Sequence, residues 1–85
     1  MIRVELFVAT GCHLCPPARE AVKAALAGVS PEAVSVRIRD IDGDLDLERR
    51  YREAIPVLVV DGREVARYVF DATEVRRAVE QAANP

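Results

Sequence analysis

Val57-Leu58-Val59-Val60 is an unbroken apolar run, entered through Pro56 and left through Asp61-Gly62. Its shortness and β-branched content predict a strand buried on both faces rather than a helix. Such a strand needs a sheet covered by helices on each side. In a chain of 85 residues, that requirement leaves room for one domain with one modest core.

The rest of the chain supplies the elements that such a sheet needs. Residues 2–8 alternate, with Ile2, Val4, Leu6 and Val8 on one face and Arg3, Glu5 and Phe7 on the other, which is a strand. Ala18, Ala21, Val22, Ala25, Leu26 and Val29 recur at helical spacing, with Glu20 and Lys23 outward. This predicts a helix running to about residue 28, where Gly28 suits a left-handed cap. Val34, Val36 and Ile38 alternate with Ser35, Arg37 and Arg39 in a second strand, and Asp40–Asp44 reads as a turn.

A short helix follows. Asp46 and Glu48 come early and Arg49, Arg50 and Arg52 late, the order the helix dipole favours, with Leu47 and Tyr51 inward. Asp61-Gly62 is a hairpin turn that returns Glu64–Val69 as a partner strand. Asp71 and Glu74 fit a capping box and Phe70 with Val75 a hydrophobic staple, opening a last helix with Val75, Ala78, Val79 and Ala82 on its buried stripe.

The order is β-α-β-α-β-β-α, an α/β domain spanning residues 1–85. The first β-α-β half pairs its strands in parallel through a right-handed crossover, and the hairpin adds antiparallel strands. The expected product is a four-stranded mixed sheet with helices on both faces.

The formal net charge is -2, which gives no basic footprint for nucleic acid. No stretch approaches the roughly 20 apolar residues of a membrane span. The opening Met1–Val8 is interrupted by charge and too short for a secretory leader. The expected location is the cytosol, where a paired cysteine is more often catalytic or metal-binding than structural.

Cys12 and Cys15 are the whole cysteine content, in Cys12-His13-Leu14-Cys15. A C-x-x-C within a strand-helix-strand pattern reads as a thioredoxin-like redox motif. A thiol attacks only as thiolate, and a helix N-terminus lowers its pKa. The first cysteine of such a pair is usually the one closer to solvent and to the free amides of that terminus. Cys12 is therefore expected to be the nucleophile that forms a mixed disulfide, and Cys15 to resolve it. His13 can hold positive charge beside Cys12.

Pro16 and Pro17 bear on where the helix begins. Either it starts at Pro16, where proline is welcome, or its first turn is distorted and keeps Cys12 against the free amides. Ile55-Pro56 is the second element of the site, because an X-Pro bond takes the cis form cheaply. A cis bond would turn the Ile55 backbone outward, leaving its polar groups free to pair with an extended substrate. His13, Leu14, Ile55 and Pro56 are thus the candidate substrate-binding residues.

Other readings stand beside this one. The pair is two buried structural thiols, or part of a metal site. Zinc wants about four ligands, and His13 is too close to Cys12 to chelate easily. A dimer sharing two pairs would be needed to close an all-thiolate site or hold an iron–sulfur cluster. A third reading is a binding module that kept the fold and lost turnover. The Arg49-Arg50-Arg52 cluster is a solvated helix face with Glu48 and Glu53 as partners, or a dock for an acidic partner.

With the cysteine pair and Ile55-Pro56 placed, the chain resembles the glutaredoxin-like branch of the thioredoxin superfamily over nearly its whole length. The resemblance implies a thioredoxin-like fold, nucleophilic Cys12, resolving Cys15 and a cis Pro56 lining the substrate groove. It implies a monomeric thiol-disulfide oxidoreductase without a bound cofactor, acting on protein or small-molecule disulfides. Its electrons would come from glutathione or a thioredoxin reductase.

The chain departs from true glutaredoxins in four places. His-Leu separates the cysteines instead of Pro-Tyr, and Ala54-Ile55 stands where Thr-Val is usual. No Gly-Gly precedes Asp71, and Ala9-Thr10-Gly11 lacks the basic residue usual before the first cysteine. These departures argue against glutathione binding and leave exchange with protein thiols, or reduction by a thioredoxin reductase, open.

Overall fold

The computed structural model describes residues 1–84. Its elements are β1 (Ile2–Val8), α1 (Cys15–Ala25), β2 (Val34–Asp40), α2 (Leu45–Tyr51), β3 (Val57–Val60), β4 (Arg63–Arg67) and α3 (Ala72–Ala83). The strands form one sheet in the order β2-β1-β3-β4. β1 runs parallel to β2, from Ile2 opposite Val34 to Val8 opposite Asp40. It runs antiparallel to β3, with Phe7 opposite Val57. β3 and β4 form the antiparallel hairpin, with a register shift at Leu58/Val59.

Every residue of Val57–Val60 is buried, and the two-residue period of the strand divides the core between the sheet faces. Val4, Leu6, Val8, Leu58 and Val60 pack with Ala18, Ala21, Val22 and Ala25 of α1 and Val75 and Val79 of α3. On the opposite face Phe7, Val57 and Val59 pack with Ile41 and Ala54, and Leu47 and Tyr51 of α2 close over them. The rings of Phe7 and Tyr51 stack with centroids 4.5 Å apart. The helices therefore cover both faces, as the apolar run requires.

Helix ends follow their capping chemistry. Asp71 accepts from the Glu74 amide at 2.9 Å while the Asp71 amide donates to the Glu74 carboxylate at 3.3 Å, completing the capping box. Phe70 and Val75 are both buried, as the staple predicts. Asp44 starts α2 by accepting from the amides of Asp46 and Leu47.

Asp40, read as part of a turn, closes β2, and β4 begins one residue early at Arg63; two other boundaries differ more. α1 stops at Ala25, because Leu26 leaves helical geometry at the cap and a turn follows, with Gly28 at φ +82°. Val29, counted with the buried stripe, is consequently 40% exposed. β4 occupies Arg63–Arg67 rather than continuing to Val69, because Tyr68 takes a positive φ of 68° and turns the chain out of the ladder. Val69 ends up 74% exposed. Among the described residues no helix is long and apolar enough to cross a membrane.

Candidate active site

The site forms where β1 ends and β3 begins. Phe7 faces Val57 across the sheet, so the loop after Val8 and the Ile55-Pro56 segment leave from the same end. After Val8 the chain turns through Ala9-Thr10-Gly11, and the Cys12 amide donates to the Ala9 carbonyl at 3.3 Å. Gly11 sits at φ +82°, a conformation that glycine adopts without steric cost.

Cys12 and Cys15 are joined as a disulfide, with Cα atoms 5.5 Å apart, within the span a disulfide bridges. Their environments are unequal. Cys15 is only 3% exposed and belongs to the core under α1 and α3, whereas Cys12 is half-buried at the edge of that core. His13 and Leu14, between them, are exposed.

The helix begins at Cys15, with Leu14 as its N-cap and the prolines in its first turn. Of the two starts considered from the sequence, this is close to the regular one. Pro16 and Pro17 occupy positions whose N–H groups would have no partner within the helix, so their missing donors cost nothing there. Regular bonding resumes with the Ala18 amide donating to the Leu14 carbonyl at 3.2 Å. Cys12 therefore precedes the helix rather than heading it.

The Ile55-Pro56 bond is cis. Pro56 is fully buried and Ile55 beside it is half-buried, so Ile55 rather than the proline ring presents surface. The Ile55 amide is not free, since it donates to the Tyr51 carbonyl at 3.0 Å, as the Ala54 amide does at 2.8 Å. Among the described residues nothing donates to the Ile55 carbonyl. One of the two backbone groups expected to be free is thus occupied, because α2 ends close enough for its last carbonyl to capture it.

Two contacts near the site were not visible in the sequence. The Thr10 amide donates to Asp42 at 3.0 Å, across 32 residues of chain. The Asp42 carboxyl is held below the usual aspartate range, chiefly by that amide and further by Arg52. Tyr68 donates to the Glu53 carbonyl at 2.8 Å. Neither residue type carries a local signal for such a partner.

Of the arginine cluster, Arg52 pairs with Glu48 and with Asp42, while Arg50 lies over the Tyr51 ring at 5.9 Å. Among the described residues no group of three or more His, Cys, Asp or Glu side chains is placed to hold a metal ion.

A four-stranded mixed sheet in this order with helices on both faces, and a cysteine pair at the start of the first helix, is the thioredoxin-like fold, and this chain is a protein of the thioredoxin superfamily. It belongs to the glutaredoxin-like domain family (DUF836), which it matches over residues 3–80. Its structure is similar to the X-ray structure of target protein XcR50 from X. campestris. The two are 35% identical, with a TM-score of 0.75 over 96% of this chain and 99% of that one. Fasciola hepatica thioredoxin is 28% identical, with a TM-score of 0.66 over 94% of this chain and 79% of that one. Chloroplastic thioredoxin z shares the fold at 18% identity, with a TM-score of 0.79 over 100% of this chain and 80% of that one. No curated protein matches the sequence.

Proposed function

We propose that the protein is a thiol-disulfide oxidoreductase in which Cys12 attacks and Cys15 resolves. The observation that carries this reading is the unequal burial of a bridged pair, with Cys12 half-buried and Cys15 3% exposed. Only the outer sulfur is open to a large substrate, and only the inner one is shielded from competing reactions.

In the reaction, the Cys12 thiolate attacks one sulfur of a substrate disulfide. That S–S bond breaks, and the departing substrate thiolate takes up a proton. Cys15 then loses its proton and attacks the Cys12 sulfur, releasing the second substrate thiol and closing the Cys12–Cys15 disulfide. Two electrons pass from the protein to the substrate. An external dithiol, supplied by a thioredoxin reductase, or two glutathione molecules return them.

His13 and Leu14 flank the attacking sulfur, and Leu14, 40% exposed, offers apolar surface to a docked disulfide. Ile55 offers its carbonyl to a substrate amide, while Pro56 shapes the segment from beneath. The substrates are protein or small-molecule disulfides, the setting is the cytosol and the working unit is the monomer.

The test is turnover of a model disulfide with a thioredoxin reductase system and, separately, with glutathione. Wild type should turn over in at least one system and Cys12→Ser in neither. Absence of turnover by wild type in both would remove the enzyme reading.

A further inference from the structure

The turn after β2, residues 41–44, has a part in the site that its sequence does not suggest. Ile41 anchors it, fully buried, and the Ile41 amide donates to the Val8 carbonyl at 2.9 Å, so the turn lies against the end of β1. The Asp42 amide donates to the Asp40 carboxylate at 2.8 Å, which holds the Asp42 backbone within the turn. The Asp42 carboxylate then divides its two oxygens. Oδ2 accepts from the Thr10 amide at 3.0 Å, and Oδ1 accepts from Arg52 of the α2 C-cap at 3.1 Å. Arg52 is itself held by Glu48 one helical turn back.

Thr10 and Gly11 are the two residues immediately before Cys12. Gly11, at φ +82°, has no side chain to limit its motion, and such a residue leaves the following atoms free to swing unless something outside fixes the turn. The Cys12 amide bond to Ala9 closes the turn locally, and the Thr10–Asp42 bond ties it to the rest of the fold.

We propose that Asp42 is a positioning residue for the cysteine pair. By holding the Thr10 amide against the α2 terminus, it keeps the Cys12 sulfur over that of Cys15. The proposal rests on the reading of these cysteines as the exchanging pair. A sulfur held in place closes its disulfide with a high effective concentration, and a loosened one closes it less favourably.

The test is the equilibrium between the Cys12–Cys15 disulfide and dithiothreitol. Dithiothreitol gives two electrons and two protons and becomes its cyclic disulfide, and no enzyme turnover is needed. Asp42→Ala should make the disulfide about fivefold or more easier to reduce. Asp42→Asn keeps an acceptor oxygen for the Thr10 amide, and should stay within about twofold of wild type. An Asp42→Ala constant equal to wild type, or an Asp42→Asn constant as shifted as that of Asp42→Ala, would overturn the proposal.

A measurement on the wild type guards against a variant that fails to fold. The Thr10 amide should exchange its hydrogen slowly, and exchange at the rate of an unstructured chain would also overturn the idea. If wild type fails in both turnover assays while Asp42→Ala still shifts the equilibrium, the oxidoreductase reading fails and the positioning role stands.

Discussion

The backbone amide of Tyr68 donates to the carbonyl of Pro56 at 2.9 Å. The phenol of the same residue donates to the Glu53 carbonyl at 2.8 Å, so Tyr68 clasps the segment before β3 at both ends. Its positive φ of 68° is the conformation that aims both donors at one segment, and a side chain rarely adopts it without such compensation. Tyr68→Phe keeps the ring and the amide bond and deletes only the phenol contact. The expected loss is about 1 kcal/mol or less, since water reaches the group. A domain of this size loses roughly 4–8 °C of melting temperature per kcal/mol. A thermal melt identical to wild type would show that the phenol contact adds nothing.

Leu58 is fully buried in β3, between β1 and β4, and packs into the cluster under α1 and α3. Leu58→Ala removes apolar contacts and leaves a cavity, at a cost of about 2–5 kcal/mol. At roughly 0.05–0.15 kcal/mol per residue, a chain of 85 residues has about 4–13 kcal/mol in all, so the loss is a substantial fraction of it. Urea unfolding should show a midpoint lowered by a large fraction of the wild-type value. A loss below about 1 kcal/mol would mean that the core collapses around the gap.

Asp42 gives the site a definite pH response. Its folded carboxyl lies below the usual aspartate range, first because it accepts from the Thr10 amide and then because Arg52 faces it. A depressed folded value means that the unfolded chain takes up the proton first. The contribution of the Asp42 bonds is therefore complete above the usual aspartate range, and is lost as the pH falls through the lowered folded value. The Thr10 amide proton resonance should shift in that acid range, and Asp42→Asn should abolish the step. A titration at or above the usual aspartate value would show that the carboxylate is not bound to Thr10.

Unequal exposure of the two sulfurs predicts unequal reactivity. After complete reduction, a limiting amount of iodoacetamide at neutral pH should modify Cys12, half-buried, well before Cys15, which is 3% exposed. Peptide mapping reads the ratio. Equal modification of both cysteines in the folded protein would show that Cys15 is not shielded.

Periodicity and turn chemistry made most of the fold legible. The alternation of Ile2–Val8 and the unbroken Val57–Val60 run each reflect burial along a single strand, and Asp71, Glu74, Phe70 and Val75 form a cap from neighbours in sequence. Where the pattern misled, a single backbone angle decided. Tyr68 ends β4 by taking a positive φ that no rule for tyrosine anticipates, and α1 gives way at Leu26 although Leu26 and Val29 continue its spacing.

The cysteine pair and Ile55-Pro56 were legible as local motifs. Their supports were not. Thr10–Asp42 joins residues 32 apart, and Tyr68–Glu53 joins residues 15 apart. Both involve a backbone group that every residue possesses. Such bonds follow from the packed arrangement of the loops and leave no trace in composition or spacing. The capture of the Ile55 amide by Tyr51 is local, four residues apart, and depended on where α2 ends.

Trapping an exchange intermediate tests the central claim most directly. Cys15→Ser leaves Cys12 able to attack and removes the thiol that would release it, so a disulfide-bonded substrate offered to the reduced variant should remain attached. Mass spectrometry should find the adduct on Cys12, released by dithiothreitol, and Cys12→Ser should form no comparable adduct on Cys15. Absence of an adduct on Cys12, or equally ready capture by Cys15 in the Cys12→Ser protein, would contradict the assignment of Cys12 as the attacking sulfur.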